Sequence, residues 1–582
     1  MAESALTDRD LASAQEARRL AQRAKQAAPH LAELSQNQID RIVDAMAAAV
    51  RPHAESLARL AVEETTFGVV ADKVQKNLFA CDRIYEFIRP MKTVGVIGRD
   101  DARKIVEIAE PFGVVAAIVP STNPTSTAIY KILIALKARC PIVISPHPSA
   151  ARCITRVAEI MAEAAAGAGA PAGSINWMTT VSLEGTQELM KHRDVAVILA
   201  TGGMGLVRAA YSAGKPAYGV GPGNAPCYIE QSADLAKAAA DIVLGKSFDS
   251  GVLCSSPNSV VVDRAVADEA KRQFIKQGAH FLSPAEADRL AGALVTPQRL
   301  PNPKFVGKTA QYIAGQIGIT VPPDTRVLVA ELKGVGRDFP LSIEKLCPVL
   351  SYYVVADWRE GCERCIQILR YGGMGHTMSI HSQNEDVILQ FGLKKPAFRI
   401  VVNTPTTHGS IGLTTGLDPA MTLGCGGWGG NITSDNISPR HLLNVKRLAY
   451  EIRPAIPSSR STAPESKDSG LQLGSWSPGS SDPGKTLPRV PAPPAPGGLD
   501  ARAMASQVES LYRSGAGPSN AASSGGTDAA LAIVDFVCEE DVRQALRLSR
   551  KIMIGERTIV TPAARDLADA HRVFVTAAWP RS

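Results

Sequence analysis

No stretch of the 582-residue chain approaches 18 uninterrupted apolar residues, so hydropathy gives no candidate for a membrane-spanning helix. The first ten residues carry acids where a secretory leader would place a basic and then an apolar region, so a cytoplasmic location is expected. Runs of five or more like charges are also missing. The 63 Lys and Arg are scattered among 56 Asp and Glu for a formal net charge of +7, a balance that does not indicate nucleic-acid binding. Ten cysteines at irregular spacings are too few for a disulfide framework and read as buried thiols or a reactive site in a reducing compartment. The one Cys-x-x-Cys, Cys362 to Cys365, lacks the second pair a zinc site needs, so no metal is expected.

What remains has the composition of a folded protein, with 45% apolar and 20% charged residues, at a length that suggests more than one core. Residues 10–90 repeat Ala, Leu, Ile and Val at three- and four-residue steps, which predicts successive amphipathic helices. Residues 93–118 change to β-branched alternation broken by Gly-Arg-Asp-Asp, predicting a hairpin that runs into a buried strand. Apolar strands, Gly- or Pro-marked turns and amphipathic helices then alternate, the α/β pattern of a parallel sheet covered on both faces. A second α/β section follows from about residue 258 to 425. The expected division is 1–231, re-entered by about 426–453, and 232–425.

Composition shifts sharply after Arg453, with nine Pro, nine Ser and four Gly among residues 456–496. Residues 456–527 are therefore expected to be a flexible linker. Within it, residues 499–512 place Leu499, Met504, Val508, Leu511 and Tyr512 on one helical stripe, which would need a partner to bury it. Residues 528–576 regain an apolar start, a helix through about Met553, a strand-like segment and a second helix. At under 50 residues this reads as a small α/β accessory module that docks on something else.

Cys254 follows Gly-Val-Leu, precedes Ser-Ser-Pro and adjoins an apolar strand. A thiolate attacks carbonyl carbon well, yet taken alone a cysteine is more often a small core residue than a nucleophile. Its company is more specific. Residues 119–148 (VPSTNPTSTAIYKILIALKARCPIVISPHP), 198–224 (ILATGGMGLVRAAYSAGKPAYGVGPGN), 246–256 (KSFDSGVLCSS), 344–350 (EKLCPVL), 372–377 (GGMGHT) and 421–431 (MTLGCGGWGGN) occur in that order. Together, over roughly residues 10–453, they resemble the coenzyme A-acylating branch of the aldehyde dehydrogenase superfamily. They most resemble the aldehyde dehydrogenase half of bifunctional aldehyde-alcohol dehydrogenases and the related enzymes of bacterial microcompartments.

The resemblance implies an aldehyde dehydrogenase-like fold, with a Rossmann-type cofactor domain beside an α/β catalytic domain. It also implies Cys254 as nucleophile and Asn123 as the amide that, with the Cys254 N–H, stabilises the oxyanion. An Asx-turn ahead of Pro124 is the plainer reading of Asn123. NAD contacts are implied at Ser145, His147 and Pro148, at Thr201, Gly202 and Gly203, and at Glu344. The superfamily hairpin implies a homo-oligomer, dimer or tetramer. His376 matches a histidine near the substrate or coenzyme A path, with a structural role equally open, and His408 reads as structural. The Gly-rich run around Trp428 would close the substrate tunnel.

The informative departure is Val220, aligned where hydrolytic aldehyde dehydrogenases carry a water-activating glutamate; no acid occurs from Val207 to Cys227. Slow attack by water and faster attack by a thiol then favour coenzyme A as acyl acceptor. The expected reaction converts a small aldehyde, NAD+ and coenzyme A to acyl-coenzyme A and NADH. A hydrolytic enzyme releasing free acid is the nearest alternative, and an inactive fold serving as an assembly adaptor is a more distant one. The tail resembles encapsulation peptides, which implies a microcompartment shell protein as partner for residues 499–512 and 528–576.

Overall fold

The computed structural model describes residues 8–455 and, apart from 538, 549 and 561, residues 533–576. The expected linker and the stripe at 499–512 lie outside the described residues. Two units divide the chain, Met1–Ser461 and Thr462–Ser582.

The first unit opens with helices Arg9–Ala32, Gln36–Val50, Ala54–Thr65 and Val70–Phe79. Their periodicity has a packing cause. Ile39, Ile42, Val43, Met46 and Val50 recur at helical spacing and are all buried, and Ser35 starts their helix in a capping box with Gln38. Strands β1 (Gly95–Asp100) and β2 (Ile105–Pro111) then form an antiparallel hairpin.

A five-stranded parallel sheet follows, made of β3 (Val114–Val119), β4 (Ile142–Pro146), β5 (Ile175–Trp177), β6 (Val195–Thr201) and β7 (Ala217–Val220). Its order is β5-β4-β3-β6-β7. The chain moves outward from β3 in one direction and returns to its other side at β6, so the crevice at the carboxyl ends of β3 and β6 is the switch point where such sheets bind ligands. The helix Pro124–Lys137 connects β3 to β4 and is buried along all fourteen residues, as its Ile-, Leu- and Ala-rich circumference requires.

The second parallel sheet contains β8 (Ala225–Ile229), β9 (Pro257–Asp263), β10 (Ala279–Phe281), β11 (Val327–Glu331), β12 (Val349–Val355), β13 (Gly375–His381) and β14 (Ala397–Val402). Their order is β10-β11-β12-β9-β8-β13-β14. Because β8 pairs with β9 and β13, the change of sheet falls at residues 221–224, ahead of the boundary at 231 drawn from sequence. Finally β15 (Leu443–Ala449) returns to pair antiparallel with β2.

In the second unit, β16 (Ile533–Val537), β17 (Ile552–Val560) and β18 (Phe574–Thr576) are parallel, with helices Glu539–Arg547 and Pro562–His571 in the connections. The first of these helices stops before the expected Met553. Ile552 and Ile554 instead join the sheet, packed against a small core that includes Val537, Val542 and Ala568. Among the described residues no helix is long and apolar enough to cross a membrane.

Candidate active site

Ten of the residues singled out from sequence border one cavity of about 460 Å³: Asn123, Ser145, His147, Pro148, Thr201, Gly202, Gly203, Val220, Cys254 and Glu344. The first sheet supplies its carboxyl ends, through the segments after β3, β4, β6 and β7. The second sheet contributes from its amino ends, since Cys254 lies three residues before β9 and Glu344 five before β12.

Cys254 is half-buried. The approach to it is strained: Asp249, Ser250 and Gly251 have φ of 48°, 53° and 73°, and only the third is glycine. Left-handed non-glycine residues persist where surrounding contacts over-determine them. Here the Asp249 side chain supplies those contacts. Its Oδ1 accepts the Val69 N–H at 2.7 Å, its Oδ2 accepts Lys73 Nζ at 3.0 Å and also Lys76 Nζ, and its own N–H donates to Asp72 Oδ2 at 2.7 Å. Gly68 backs this carboxylate with a φ of 78°, and a Cβ there would overlap it.

Burial, and secondarily the charge of Glu344, pushes the Cys254 thiol up to about 12, while the buried Arg399 pulls weakly the other way. A raised thiol value means that the protonated form dominates at neutral pH and thiolate grows as pH rises. Iodoacetamide labelling of Cys254, followed by peptide mass spectrometry, is therefore expected to accelerate about tenfold per pH unit between pH 7 and 9. A plateau by pH 7 would show a thiol already ionised.

Asn123 occupies the N-cap of the helix Pro124–Lys137, yet its side chain makes no capping hydrogen bond. Its Oδ1 instead accepts Lys76 Nζ at 2.6 Å, and its Nδ2 is left with a long 3.3 Å contact to Thr122 Oγ1. The plainer Asx reading of this residue does not hold, because the amide is not consumed by the turn it precedes.

Glu344 is buried, and burial pushes its carboxyl up to about 8. Its Oε1 accepts the Gly223 N–H at 2.7 Å. Neighbouring Lys345 fastens the loop, donating from Nζ to the carbonyls of Leu341 (2.7 Å), Ile343 (3.0 Å) and Asn258 (3.0 Å). Gly223 sits where nothing larger fits: a Cβ would overlap the Cys254 carbonyl oxygen and come within 3.0 Å of the His376 ring. Gly223→Ala is expected to lower stability by about 1–3 kcal/mol and to displace Cys254, which thermal unfolding together with turnover would register.

His376 is fully buried behind Gly223 and does not border the cavity. Burial, then Arg399, holds its imidazole down to about 3, so it is neutral. Its Nδ1 lies 2.9 Å from Thr377 Oγ1 and its Nε2 has no partner. The structure thus places it one layer behind the backbone that carries Cys254. Arg399, also buried, bonds to the carbonyls of Ser434 and Gly424 and ties the Gly-rich run to β13 and β14.

The remaining wall fits a dinucleotide. Thr201 Oγ1 is buried without a partner, Gly203 caps the helix Met204–Tyr211 with no side-chain bond to its first N–H groups, and a Cβ at Gly203 would meet open space. Uncapped amides at a helix start are a ready anion site. Ser145 and His147 are already engaged, with Thr186 Oγ1 (2.8 Å) and Ser149 (2.8 Å to Oγ).

A second cavity, of about 610 Å³, shares Gly221, Pro222 and Glu344 with the first and is bordered by Tyr211, Tyr371 and Trp428. Trp428 stacks on Phe398 at 4.8 Å. His408 is buried and packs edge-on to Phe248 at 4.7 Å. Cys362 and Cys365 are buried in the helix Trp358–Gly372, and among the described residues no cluster of three or more His, Cys, Asp or Glu could hold a metal.

Sequence reading missed Lys73, Lys76 and Asp249. The two lysines and Asn77 form one buried face of the helix Val70–Phe79. The available signal was Asp-Lys-Val-Gln-Lys-Asn, polar residues at i, i+3 and i+4, a spacing that usually marks a solvated stripe.

Residues 2–311 match the model of the aldehyde dehydrogenase family. Aldehyde-alcohol dehydrogenase 2 of Entamoeba histolytica is 43% identical over 427 residues, which are 72% of this chain and 49% of that protein. The chain therefore spans about half the length of such relatives. The crystal structure of an acetylating aldehyde dehydrogenase from Geobacillus thermoglucosidasius superposes with a TM-score of 0.76 at 50% identity, over 78% of this chain and 100% of that one. A propionaldehyde dehydrogenase from the fucose utilisation microcompartment of Clostridium phytofermentans superposes with a TM-score of 0.67 at 29% identity, over 75% and 98%.

Proposed function

Since the chain belongs to the aldehyde dehydrogenase family, we propose that it oxidises a short aldehyde and passes the acyl group to coenzyme A: aldehyde + NAD+ + coenzyme A gives acyl-coenzyme A + NADH + H+. The observation that carries this reading is the lining of the 460 Å³ cavity. Beside Cys254 and Asn123 it holds apolar Val220 and a single carboxylate, Glu344, which already accepts the Gly223 N–H.

In this reading Cys254 Sγ bonds to the aldehyde carbon and the thiol proton leaves to solvent. The carbonyl oxygen becomes an alkoxide that accepts hydrogen bonds from Asn123 Nδ2 and the Cys254 N–H. When bound, a nicotinamide would supply the two-electron acceptor for the hydride, and Thr201, Gly202, Gly203, Ser145, His147, Pro148 and Glu344 are the residues that would hold it. The product of oxidation is a thioester on Cys254. Water attack on it would need a positioned base, whereas a coenzyme A thiolate does not, so acyl transfer regenerates Cys254 and conserves the thioester. The relative from Geobacillus thermoglucosidasius, named as acetylating, supports the same choice. The second cavity, with Trp428 at its wall, is the proposed approach for the aldehyde.

The test is a panel of acetaldehyde, propionaldehyde and substituted short aldehydes, assayed for NADH with and without coenzyme A. Sustained NADH formation should require coenzyme A, and the product should be the thioester; free acid formed at an undiminished rate without it favours the hydrolytic alternative.

Two finer proposals accompany this one. The antiparallel β1-β2-β15 sheet, which exposes Val96, Val445 and Leu448, would assemble copies into a dimer or tetramer. Residues 499–512 and 528–576 would recruit the cytoplasmic enzyme into a microcompartment. The linker composition and the structural relative from such a compartment support this. Deleting residues 497–582 should leave turnover unchanged and end co-sedimentation with shells.

A further inference from the structure

We infer that Lys76 is a positioning residue for the oxyanion site: by donating to Asn123 Oδ1 it holds the amide with Nδ2 turned to the alkoxide. The inference rests on the reading of Asn123 as oxyanion donor.

A primary amide can be turned end for end with little change in shape, exchanging an acceptor for a donor. An ammonium can only donate. With Lys76 Nζ 2.6 Å from Oδ1, the turned arrangement would set NH2 against a cation, so the contact selects one orientation. Nothing else in the surroundings makes that selection. The N-cap bond that would ordinarily engage Oδ1 is not made, and Nδ2 has only the 3.3 Å contact to Thr122 Oγ1.

Lys76 is itself held. It is 3% exposed, in a helix whose buried face also carries Lys73 and Asn77, and Asn77 Oδ1 accepts Thr125 Oγ1 at 2.7 Å in the helix that Asn123 begins. Its second acceptor is the Asp249 carboxylate, five residues before Cys254. One ammonium thus touches the oxyanion amide and the anchor of the nucleophile loop, joining the two parts of the site that come from different sheets. Lys73 makes a useful contrast. It shares Asp249 at 3.0 Å and reaches the Thr122 carbonyl at 3.2 Å, with no bond to Asn123. Losing either lysine leaves Asp249 paired with the other, so a loss due merely to charge burial should fall on both alike.

The experiment is a double-mutant cycle on kcat and KM for propionaldehyde at saturating NAD+ and coenzyme A, using the full chain. Lys76→Met is expected to lower kcat about 10- to 100-fold, part of the effect of deleting an oxyanion donor, with the aldehyde KM within about threefold. The pair Lys76→Met with Asn123→Ala should be within about twofold of Asn123→Ala alone, since a residue acting through another adds nothing once that other is gone. Lys73→Met should stay within about threefold of the parent in kcat. Lys76→Arg, which keeps a donor-only cation, should recover most of the loss. Where methionine gives no folded protein, Lys76→Gln serves in the same cycle, because an amide partner no longer dictates the orientation of Asn123. Loss factors that multiply in the double variant, or an equal loss in Lys73→Met, would overturn the inference. A normal kcat in Asn123→Ala would instead remove the oxyanion reading beneath it.

Discussion

Cys254→Ala is expected to abolish aldehyde-dependent NADH formation, lowering kcat by about 10⁴-fold or more, the scale seen when a covalent nucleophile is removed. The thiol is the sole described cysteine bordering the 460 Å³ cavity, and it stands with Asn123 at the meeting of the two sheets. Alanine there deletes one sulfur at a cavity wall, so folding should survive with a change within about 1 kcal/mol, and nicotinamide binding should persist. Cys365→Ala is the matching control: that thiol is fully buried in the helix Trp358–Gly372 and borders neither cavity, and its loss should leave kcat near the parent value. Steady-state kinetics beside thermal unfolding and NAD+ titration separate the two outcomes. Appreciable turnover in folded Cys254→Ala would mean that the acyl group never resides on this sulfur.

Asn123→Ala should lower kcat about 10²- to 10³-fold, equivalent to about 3–4 kcal/mol of lost alkoxide stabilisation, with a much smaller change in KM. The split follows from when the bond is made. The aldehyde oxygen carries little charge on entry and nearly a full charge after Cys254 attacks, so a donor aimed at it acts mainly in the transition state. Asn123→Asp is the sharper variant. It keeps shape, but a carboxylate beside Lys76 Nζ would pair with that cation and offer no donor, so the loss should equal or exceed that of alanine. No capping bond is lost in either case, but alanine removes the acceptor at 2.6 Å from buried Lys76 Nζ, which keeps its Asp249 partner, so a stability loss of about 1–3 kcal/mol is expected for Asn123→Ala.

The α/β class and three of the five strands of the first sheet were legible because β3, β4 and β6 are short, predominantly apolar runs between turn residues, the pattern of strands buried on both faces. The family was legible because Asn123, Cys254 and Glu344 sit in separate motifs in one order, and three residues far apart in sequence do border the same space. The sheet that takes β8 was not legible. Ala225–Ile229 is an apolar run like its predecessor, and periodicity does not reveal which sheet accepts a strand. Lys76 was hidden for a different reason. In sequence it is one of several charges on an amphipathic helix, and only tertiary packing shows that this face is buried against Asp249 and Asn123. For His376 the sequence left two readings open, a neighbour of the substrate or coenzyme A path and a structural histidine; its buried place beside Gly223, whose missing Cβ leaves room for the ring, was not legible from either motif. The end of the helix at Arg547 was missed because Ile552 and Ile554 suit either a helical stripe or a buried strand.

The central claim is that a thioester on Cys254 waits for a thiol. It is tested most directly by mixing the enzyme with excess propionaldehyde and NAD+ in the absence of coenzyme A, then following NADH and the intact protein mass. One NADH per site and a propionyl adduct on Cys254 that persists until coenzyme A discharges it as propionyl-coenzyme A is the predicted result. Continuous NADH formation with release of propionate and no lasting adduct would contradict it.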